Sequence, residues 1–235
     1  MMMNLFQCPR DNDKIAAIME RIEYTALLSN NATAAEVKQA CEDAKFYRMA
    51  RIVPFQAYLK DVLKHLEGSD VQVVQGCCDV FSPAQRKHMV EEGLKMGCTE
   101  IDVVGQQALF FDKKYDEYQE DIRSYAEITN RYGAPLKVII ETGFLTDEEK
   151  ILMAKLSLEA GATYIKTCMG MRGGRCSMHD ILLLKNAFGD KIKIKASGSV
   201  ASLEDAYAMM RAGADRIALR GLAVDQIREL NYRPQ

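Results

Sequence analysis

The chain has 235 residues, with 31 basic and 33 acidic side chains and a formal net charge of −2. This length suits one domain, including a single α/β barrel. The near-neutral balance argues against a dedicated nucleic-acid binder, which would normally carry a basic face. Hydrophobic residues make up 48% of the chain, too many for intrinsic disorder. No apolar run is long enough to cross a membrane, and the first residues lack a signal-peptide pattern. We therefore expect a globular protein with neither nucleic-acid nor membrane partners.

The cysteines and histidines point to a cytoplasmic protein without a metal site. The seven cysteines form an odd set with no C-x-x-C pair, as expected for reduced thiols. The histidines, His65, His88 and His179, are far apart in sequence and fall on predicted helices. That spacing does not predict a metal-ligand set.

Short apolar runs rich in Val and Ile recur along the chain. Runs of this length and composition are typical of strands that are buried on both faces. The runs are Ile22–Leu27, Met49–Val53, Val71–Val74, Glu100–Val104, Leu136–Glu141, Thr163–Thr167, Ile192–Ala196 and Arg216–Leu219.

The segments between these runs carry helix start and stop signals. Thr33–Lys45 opens with T-A-A-E and Thr146–Ala160 with T-D-E-E, both capping boxes. Ser82–Met96 opens with a serine followed by proline, and Ser202–Ala212 opens with S-L-E-D. Glycine, a common residue just past a helix end, closes several of the segments. These glycines are Gly68, Gly97, Gly133, Gly161, Gly189 and Gly213.

The repeated order of strand, helix and strand indicates βαβ units and a parallel sheet. Eight units predict one (β/α)₈ TIM barrel over residues 1–235, with a helical N-terminal extension at 1–18 and a short polar tail at 231–235. An open doubly wound sheet is the alternative. No G-x-G-x-x-G follows the first run, so the usual dinucleotide fingerprint of that fold is missing.

Charged residues interrupt several predicted strands where apolar residues are expected. They are Asp102 in E-I-D-V-V, Lys166 in Y-I-K-T, Lys195 in I-K-A-S-G and Glu141 in V-I-I-E-T. A charge in a buried strand is costly unless it is paired or functional. Catalytic residues of such barrels lie at the carboxyl ends of the strands, so these four are candidates.

Lys166 and Lys195 lie one βα unit apart, on strands expected to be neighbours at about 4.8 Å. Two ammonium groups in one pocket repel each other, and burial also favours loss of a proton from one of them. A neutral lysine can attack a carbonyl and form a Schiff base, and Asp102 could relay protons. The alternative is that each lysine extends to solvent.

The residues around these positions resemble those of deoxyribose-phosphate aldolases, which are class I aldolases with a (β/α)₈ barrel. The resemblance runs from Ile22 to Leu230. It is strongest in E-I-D-V-V at 100–104, L-K-V-I-I-E-T at 136–142, G-A-T-Y-I-K-T at 161–167 and K-A-S-G at 195–198.

The resemblance implies a role for each matched residue. Lys166 would form the Schiff base, Lys195 would tune it, and Asp102 would act as acid and base through water. The implied reaction is the reversible cleavage of 2-deoxy-D-ribose 5-phosphate to acetaldehyde and D-glyceraldehyde 3-phosphate. It needs no cofactor and no metal, because the protonated imine accepts the electrons. Relatives are often dimers, so a homodimer is also implied.

Departures from the family pattern fall on the expected substrate pocket. The first strand carries Glu23 where the family has an aspartate, and the second carries Arg51 in place of a cysteine. Gly76, Cys77 and Cys78 replace the family's G-F-P after the third strand. We expect Glu23 and Arg51 to contact the substrate.

The phosphate end departs most. Family members hold phosphate with backbone amides of glycine-rich loops, which suit anions. Beside Thr167, the loop after the sixth strand keeps Gly170 and adds Arg172 and Arg175. Ser199 replaces a glycine after Gly198, and Arg220 ends the eighth strand. We expect this set to bind the substrate; the residues are Thr167, Gly170, Arg172, Gly198, Ser199 and Arg220.

Three functions remain open on the sequence. In one, arginines replace backbone amides and the substrate is still deoxyribose 5-phosphate or a close relative. In the second, a Schiff-base lyase of the same fold takes a non-phosphorylated or carboxylated acceptor. In the third, a catalytically silent barrel binds a sugar phosphate or a protein, since this fold hosts many functions.

Overall fold

Eight parallel strands pair in chain order and close into a barrel, because the eighth strand also pairs with the first. The computed structural model describes residues 12–27, 31–77, 81–170, 174–198 and 200–234. The strands are β1 (Ile22–Tyr24), β2 (Arg51–Ile52), β3 (Gln72–Cys77), β4 (Glu100–Val104), β5 (Leu136–Ile139), β6 (Tyr164–Lys166), β7 (Ile194–Ala196) and β8 (Arg216–Leu219).

Helices follow the strands and surround the barrel. The described helices are α1 (Asn12–Met19), α2 (Ala34–Phe46), α3 (Leu59–His65), α4 (Pro83–Met96), α5 (Gln107–Phe111), α6 (Tyr115–Arg131), α7 (Asp147–Glu159), α8 (Met178–Phe188), α9 (Leu203–Ala212) and α10 (Gly221–Glu229). Short 3₁₀ turns occupy Gln56–Tyr58, Thr142–Phe144 and Gly189–Lys191.

The (β/α)₈ prediction is confirmed, and the open doubly wound alternative is wrong. The pairs Glu23–Ala218 and Tyr24–Leu219 close the sheet, leaving no free edge in the barrel. The fold needs this closure because each strand here is short, and a closed sheet satisfies the backbone groups that an edge would expose.

The helix boundaries follow the local capping chemistry. Thr33, Ser82 and Thr146 each form a reciprocal capping box at the start of α2, α4 and α7. Gly97 and Gly213 end α4 and α9 in the left-handed region, with φ of 113° and 112°. These signals are local in sequence, which is why the sequence predicts the helix ends to within a residue.

Strand boundaries were predicted less well. The run Leu136–Glu141 predicts a longer strand than β5, which ends at Ile139, and Glu141 has a left-handed φ of 54°. The sequence shows where the apolar run stops, but the sheet pairing stops earlier. The residues just past the pairing form the rim of the barrel and carry the candidate site.

The N-terminal helix and the tail both pack on the barrel. Ile15, Ile18 and Met19 of α1 are buried, and α1 lies against α9. Tyr232 is 3% exposed and stacks on Tyr47, with ring centroids 6.4 Å apart. Tyr47 precedes β2, so this part of the tail lies near the amino ends of the strands. None of the described helices is both long and apolar enough to cross a bilayer.

Candidate active site

Charged side chains from five strands meet inside the barrel. We call Glu23, Asp102, Lys137, Lys166 and Lys195 the lysine cluster. Lys166 and Lys195 pair in register on neighbouring strands, as the sequence predicts. Four of the five side chains are fully buried, and Lys166 at the carboxyl end of β6 is 7% exposed. Lys166 is therefore the amine of the cluster with a route to a substrate.

Asp102 is the hub of the lysine cluster. Its Oδ2 accepts hydrogen bonds from Lys166 Nζ at 2.9 Å and Lys195 Nζ at 2.6 Å, and its Oδ1 accepts one from Lys137 at 3.1 Å. Because two lysines share one oxygen, their Nζ atoms are at most about 5.5 Å apart. Burial opposes ionisation of Asp102, but the three lysine charges hold its pKa well below its usual value.

Lys195 is held between two carboxylates and near two other lysines. It contacts Asp102 and Glu23. Burial, with repulsion from Lys166 and Lys137, lowers the pKa of Lys195 although both carboxylates oppose this. Two amines sharing a pocket should produce such a shift. Here it falls on the fully buried Lys195.

The sequence reasoning did not single out Lys137 or Glu100. Lys137 Nζ lies 2.6 Å from Glu100 Oε2 and 3.3 Å from Glu23 Oε1, in addition to its bond to Asp102. Burial alone would lower the pKa of Lys137, but the three carboxylates raise it above its usual value. The signal was available, because Lys137 interrupts an apolar run just as Lys166 does.

Glu23 belongs to the candidate site, but it does not line an opening. Its side chain is fully buried and contacts Lys195 and Lys137. The partners that the structure gives Glu23 are therefore buried lysines, and its expected contact with the substrate stays a prediction. The longer arm that replaces the family's aspartate lets both of its oxygens reach a lysine.

Arg51, expected to contact the substrate, is paired with a carboxylate inside the barrel, and its substrate contact stays a prediction. Its Nε donates to Glu100 Oε1 at 2.8 Å, and its side chain is 11% exposed. Glu100 is the first residue of β4, so the guanidinium lies toward the amino ends of the strands. A buried carboxylate strongly favours a charged donor, and this pairing turns Arg51 away from the candidate pocket.

Thr167 is also tied into the scaffold rather than open to a ligand. Its hydroxyl donates to Ser197 O at 2.8 Å and accepts from Ser197 N at 2.9 Å, and the residue is fully buried. A substrate contact of Thr167 therefore stays a prediction. Its hydroxyl instead fixes the start of the loop after β6 against the loop after β7.

Gly170, Gly198 and Arg220 meet at the rim, as expected of an anion site. Arg220 Nη2 donates to Gly170 O at 3.3 Å, and the Arg220 side chain is exposed. A Cβ built on Gly170 would lie 3.6 Å from Gly198 Cα and 3.7 Å from Arg220 Nη2. Arg172 and Ser199, also predicted here, lie outside the described residues.

Neighbouring groups hold the loop after β6 in place. Glu141, buried and in the left-handed region, accepts a hydrogen bond from Met169 N at 2.8 Å. Cys176 N donates to Gly198 O at 3.0 Å. Arg175 is exposed in the same loop. Strain at a non-glycine residue of this kind is common near functional sites.

Cys168 lies beside Lys166 but is not arranged as a nucleophile. Its Sγ is 3.4 Å from Thr142 Oγ1, and the side chain is fully buried. Burial raises the pKa of the Cys168 thiol, which keeps the thiolate form scarce. Within the described residues, no group of three or more His, Cys, Asp or Glu side chains is placed to hold a metal ion.

Comparison with known proteins gives consistent matches. No family model matches the chain. It is 33% identical over 216 residues to the deoxyribose-phosphate aldolase of Caldanaerobacter subterraneus subsp. tengcongensis, covering 88% of this chain and 91% of that protein. It is 36% identical over 211 residues to the deoxyribose-phosphate aldolase of Lysinibacillus sphaericus, covering 86% and 92%. The tetrameric deoxyribose phosphate aldolase structure from Aeropyrum pernix superimposes with a TM-score of 0.83 at 23% identity, covering 97% of each chain, which supports the fold.

The closed parallel barrel and its lysine cluster, taken with these relatives, define an aldehyde-lyase of the (β/α)₈ type. The similarity extends over most of both chains at more than 30% identity. The chain belongs to the deoxyribose-phosphate aldolase family.

Proposed function

We propose that this protein cleaves 2-deoxy-D-ribose 5-phosphate reversibly to acetaldehyde and D-glyceraldehyde 3-phosphate, with Lys166 as the Schiff-base nucleophile. The observation that carries the proposal is the shared contact of Lys166 and Lys195 with one oxygen of Asp102. It leaves an accessible amine beside two groups that can exchange its proton.

The first half of the reaction forms the imine. Neutral Lys166 attacks C1 of the open-chain sugar, and the carbinolamine loses water to give a protonated imine. Lys195, whose pKa is lowered, takes the proton of the Lys166 ammonium through the shared Asp102 oxygen. Asp102, held ionised by three lysines, then stabilises the cationic imine.

The second half breaks the carbon–carbon bond. Asp102, acting through water, takes the proton of the C3 hydroxyl, the C2–C3 bond breaks, and its electron pair enters the imine to give an enamine. Glyceraldehyde 3-phosphate leaves, C2 takes up a proton, and water releases acetaldehyde and frees Lys166. Asp102 is the acid and base closest to the Lys166 nitrogen, and every step balances without a cofactor.

Arg220 supports binding of the substrate phosphate. Arg220 is the N-cap residue of α10, and both a guanidinium and a helix amino end attract anions. Its contact with Gly170 brings it over the glycine loops after β6 and β7. An arginine there takes the place of backbone amides, as a bidentate ligand of phosphate.

Imine trapping tests the nucleophile. The protein is incubated with acetaldehyde and a borohydride reductant, and the added ethyl group is located by peptide mass spectrometry. We expect it on Lys166, with none in Lys166→Met and undiminished labelling in Lys185→Met. Lys185 is a matched control because it also pairs with a carboxylate, Asp215, away from the cluster. Labelling confined to other lysines, or no labelling between about pH 6 and pH 9, would refute the assignment.

The substrate is tested separately. Cleavage of deoxyribose 5-phosphate is coupled to detection of glyceraldehyde 3-phosphate, and deoxyribose is the unphosphorylated comparison. A clear preference for the phosphorylated sugar supports the proposal. Equal kcat/KM for both would instead indicate a non-phosphorylated acceptor.

Two further assignments belong to this proposal. We infer that the protein is a homodimer, an assignment that rests on the resemblance to its family. A single-chain mass by light scattering would contradict it. We also infer a cytoplasmic location, supported by free thiols at Cys41, Cys98, Cys168 and Cys176. Disulfide-linked cysteines in protein purified without reductant would contradict it.

A further inference from the structure

A chain of alternating charges runs through the barrel below the candidate site. It begins at Arg51, whose Nε binds Glu100 Oε1 at 2.8 Å. The other oxygen, Glu100 Oε2, lies 2.6 Å from Lys137 Nζ. Lys137 in turn binds Asp102 Oδ1 at 3.1 Å, and Asp102 Oδ2 holds Lys166 and Lys195. Each carboxylate in this chain has a cation on both oxygens.

The mechanism proposed above uses only Asp102, Lys166 and Lys195 from this series of charges. Arg51 and Glu100 lie near the amino ends of the strands, and their ion-pair partners among the described residues are each other, Lys137 and Arg216. Both are nevertheless buried, at 9% and 4% exposed. Burying a charged pair is costly and is weak evidence for stability by itself, so a further role is worth testing.

We propose that Arg51 is a positioning residue for the aldol reaction, which it supports by occupying one oxygen of Glu100 so that Lys137 remains shared with Asp102. The inference rests on the proposed function, because it concerns the state of the lysines that form and tune the imine. Arg51 does not touch the substrate in this scheme; it acts through Glu100 and Lys137.

The physical argument concerns competition for Lys137. Its ammonium is shared by three carboxylates, Glu100, Asp102 and Glu23, with Glu100 the nearest. Without Arg51, Glu100 loses its closest second cation, and its full charge acts on Lys137. Lys137 then moves toward Glu100 and away from Asp102, since attraction in a poorly solvated interior rises steeply as distance falls.

The movement of Lys137 away from Asp102 changes the charges around Lys195. Repulsion from Lys137 is one of the causes that lower the pKa of Lys195, whereas Asp102 and Glu23 raise it. When Lys137 withdraws, the repulsion weakens and both carboxylates act more fully on Lys195. Lys195 then holds its proton more tightly, and fewer molecules carry the neutral Lys195 that can take up the Lys166 proton.

Other charged and aromatic groups also face Glu100 and Lys137. Glu100 faces Arg51 from β2, Lys137 from β5 and, at 3.6 Å, Arg216 from β8. Lys137 also lies 6.0 Å from the centroid of the Tyr164 ring on β6. Arg216 is farther from Glu100 than Arg51 by nearly an ångström, so it replaces the lost contact only in part.

The experiment compares Arg51→Met with Arg51→Lys. The first readout is the midpoint of the Lys195 titration, followed by NMR of ¹³C-labelled lysine in the whole protein without substrate. The second is the acidic limb of the pH profile of kcat/KM for deoxyribose 5-phosphate. We expect Arg51→Met to raise the midpoint and the limb by about one pH unit, which is a tenfold change in the neutral fraction. Arg51→Lys keeps the positive charge, so its Lys195 midpoint and its acidic limb should both lie close to the wild-type values.

A matched control separates this effect from the loss of any buried ion pair. Arg86 binds Asp121 at 3.1 Å with a side chain 1% exposed, outside the lysine cluster. Arg86→Met should lower the melting temperature without moving the Lys195 midpoint. If Arg51→Met also moves only the melting temperature, Arg51 is structural and the inference is wrong.

A double-mutant comparison covers the case in which Arg51→Met does not fold. Glu100→Gln removes the charge through which Arg51 acts and keeps the shape of the side chain. In the Glu100→Gln protein, the Arg51→Lys and Arg51→Gln variants should have the same Lys195 midpoint. If these two variants differ as much in the Glu100→Gln protein as they do when Glu100 is present, the inference is overturned. The NMR titration of Lys195 needs no turnover. If the protein is inactive toward deoxyribose 5-phosphate, the proposed function is refuted, but the NMR titration still decides whether Arg51 acts on Lys195.

Discussion

Replacing Lys195 by methionine tests how the lysine cluster makes an amine reactive. The two Nζ atoms are at most about 5.5 Å apart, because both contact Asp102 Oδ2. Two unit charges at that distance repel by about 3 kcal/mol at an effective dielectric constant of 20. Removing one charge also leaves Asp102 to pair more strongly with Lys166. Both changes favour the protonated, unreactive form of Lys166, by a factor of roughly 100.

The assay is the rate of acetaldehyde trapping on Lys166 as a function of pH. We expect Lys195→Met to trap about 100-fold more slowly than wild type near pH 7, and the deficit to shrink toward about pH 10. It should shrink because solvent then removes the Lys166 proton without help. Lys185→Met, which removes a paired lysine outside the cluster, should trap at the wild-type rate.

Two results would refute this reasoning. A deficit of the same size at every pH would mean that Lys195 does more than set the protonation state of Lys166. An unchanged rate at pH 7 would mean that the two amines do not interact as their shared contact with Asp102 requires.

Three other perturbations test the rest of the site. Arg220→Ala should raise KM for deoxyribose 5-phosphate about tenfold and leave kcat/KM for deoxyribose unchanged, as expected for a lost charged phosphate contact; equal losses on both sugars would contradict this. The folded-state pKa of Asp102 lies below its ordinary value, so its stabilising effect is present above about pH 4 and is lost as pH falls through the lower value. Asp102→Asn should thus be less stable to denaturant at neutral pH, and the gap should narrow in acid; a constant gap would contradict the linkage. Gly198→Ala places a Cβ 2.8 Å from the Cβ of Cys168 at a residue with φ +92°, so it should lower the free energy of unfolding by about 2 kcal/mol. Gly133→Ala has open space around the new Cβ at φ +64°, so it should lower the free energy of unfolding by only about 1 kcal/mol. Equal melting temperatures for the two variants would show that the crowding at Gly198 has no effect.

Much of the fold could be predicted because its signals are local. The capping boxes at Thr33 and Thr146 satisfy backbone groups within one turn of the same helix, so the sequence alone places those helix starts. Eight alternating units then leave few ways to cover both faces of a parallel sheet. The ends of the strands could not be predicted as well, because pairing depends on where a neighbouring strand stops. Glu141 shows this, since it continues an apolar run but lies beyond the sheet.

Some residues of the candidate site could be found from the sequence, and others could not. Asp102, Lys166 and Lys195 could be found because each is a charge within an apolar strand, and parallel strands bring such positions to one end of a barrel. Lys137 also interrupts an apolar run, but it was not singled out, because it lies toward the amino end of β5 and catalytic residues are expected at the carboxyl ends of strands.

The sequence by itself determined the kind of residues available and the strands that carry them. Only the tertiary structure decided which side chains meet. Arg51 turned to Glu100, Thr167 was fixed on Ser197, and Glu23 joined the lysines instead of the pocket. The physical reason is that a buried charge or hydroxyl takes whichever partner lies within about 3 Å, and that distance is set by strand register and barrel closure. Residues far apart in the chain become those partners only when the barrel closes.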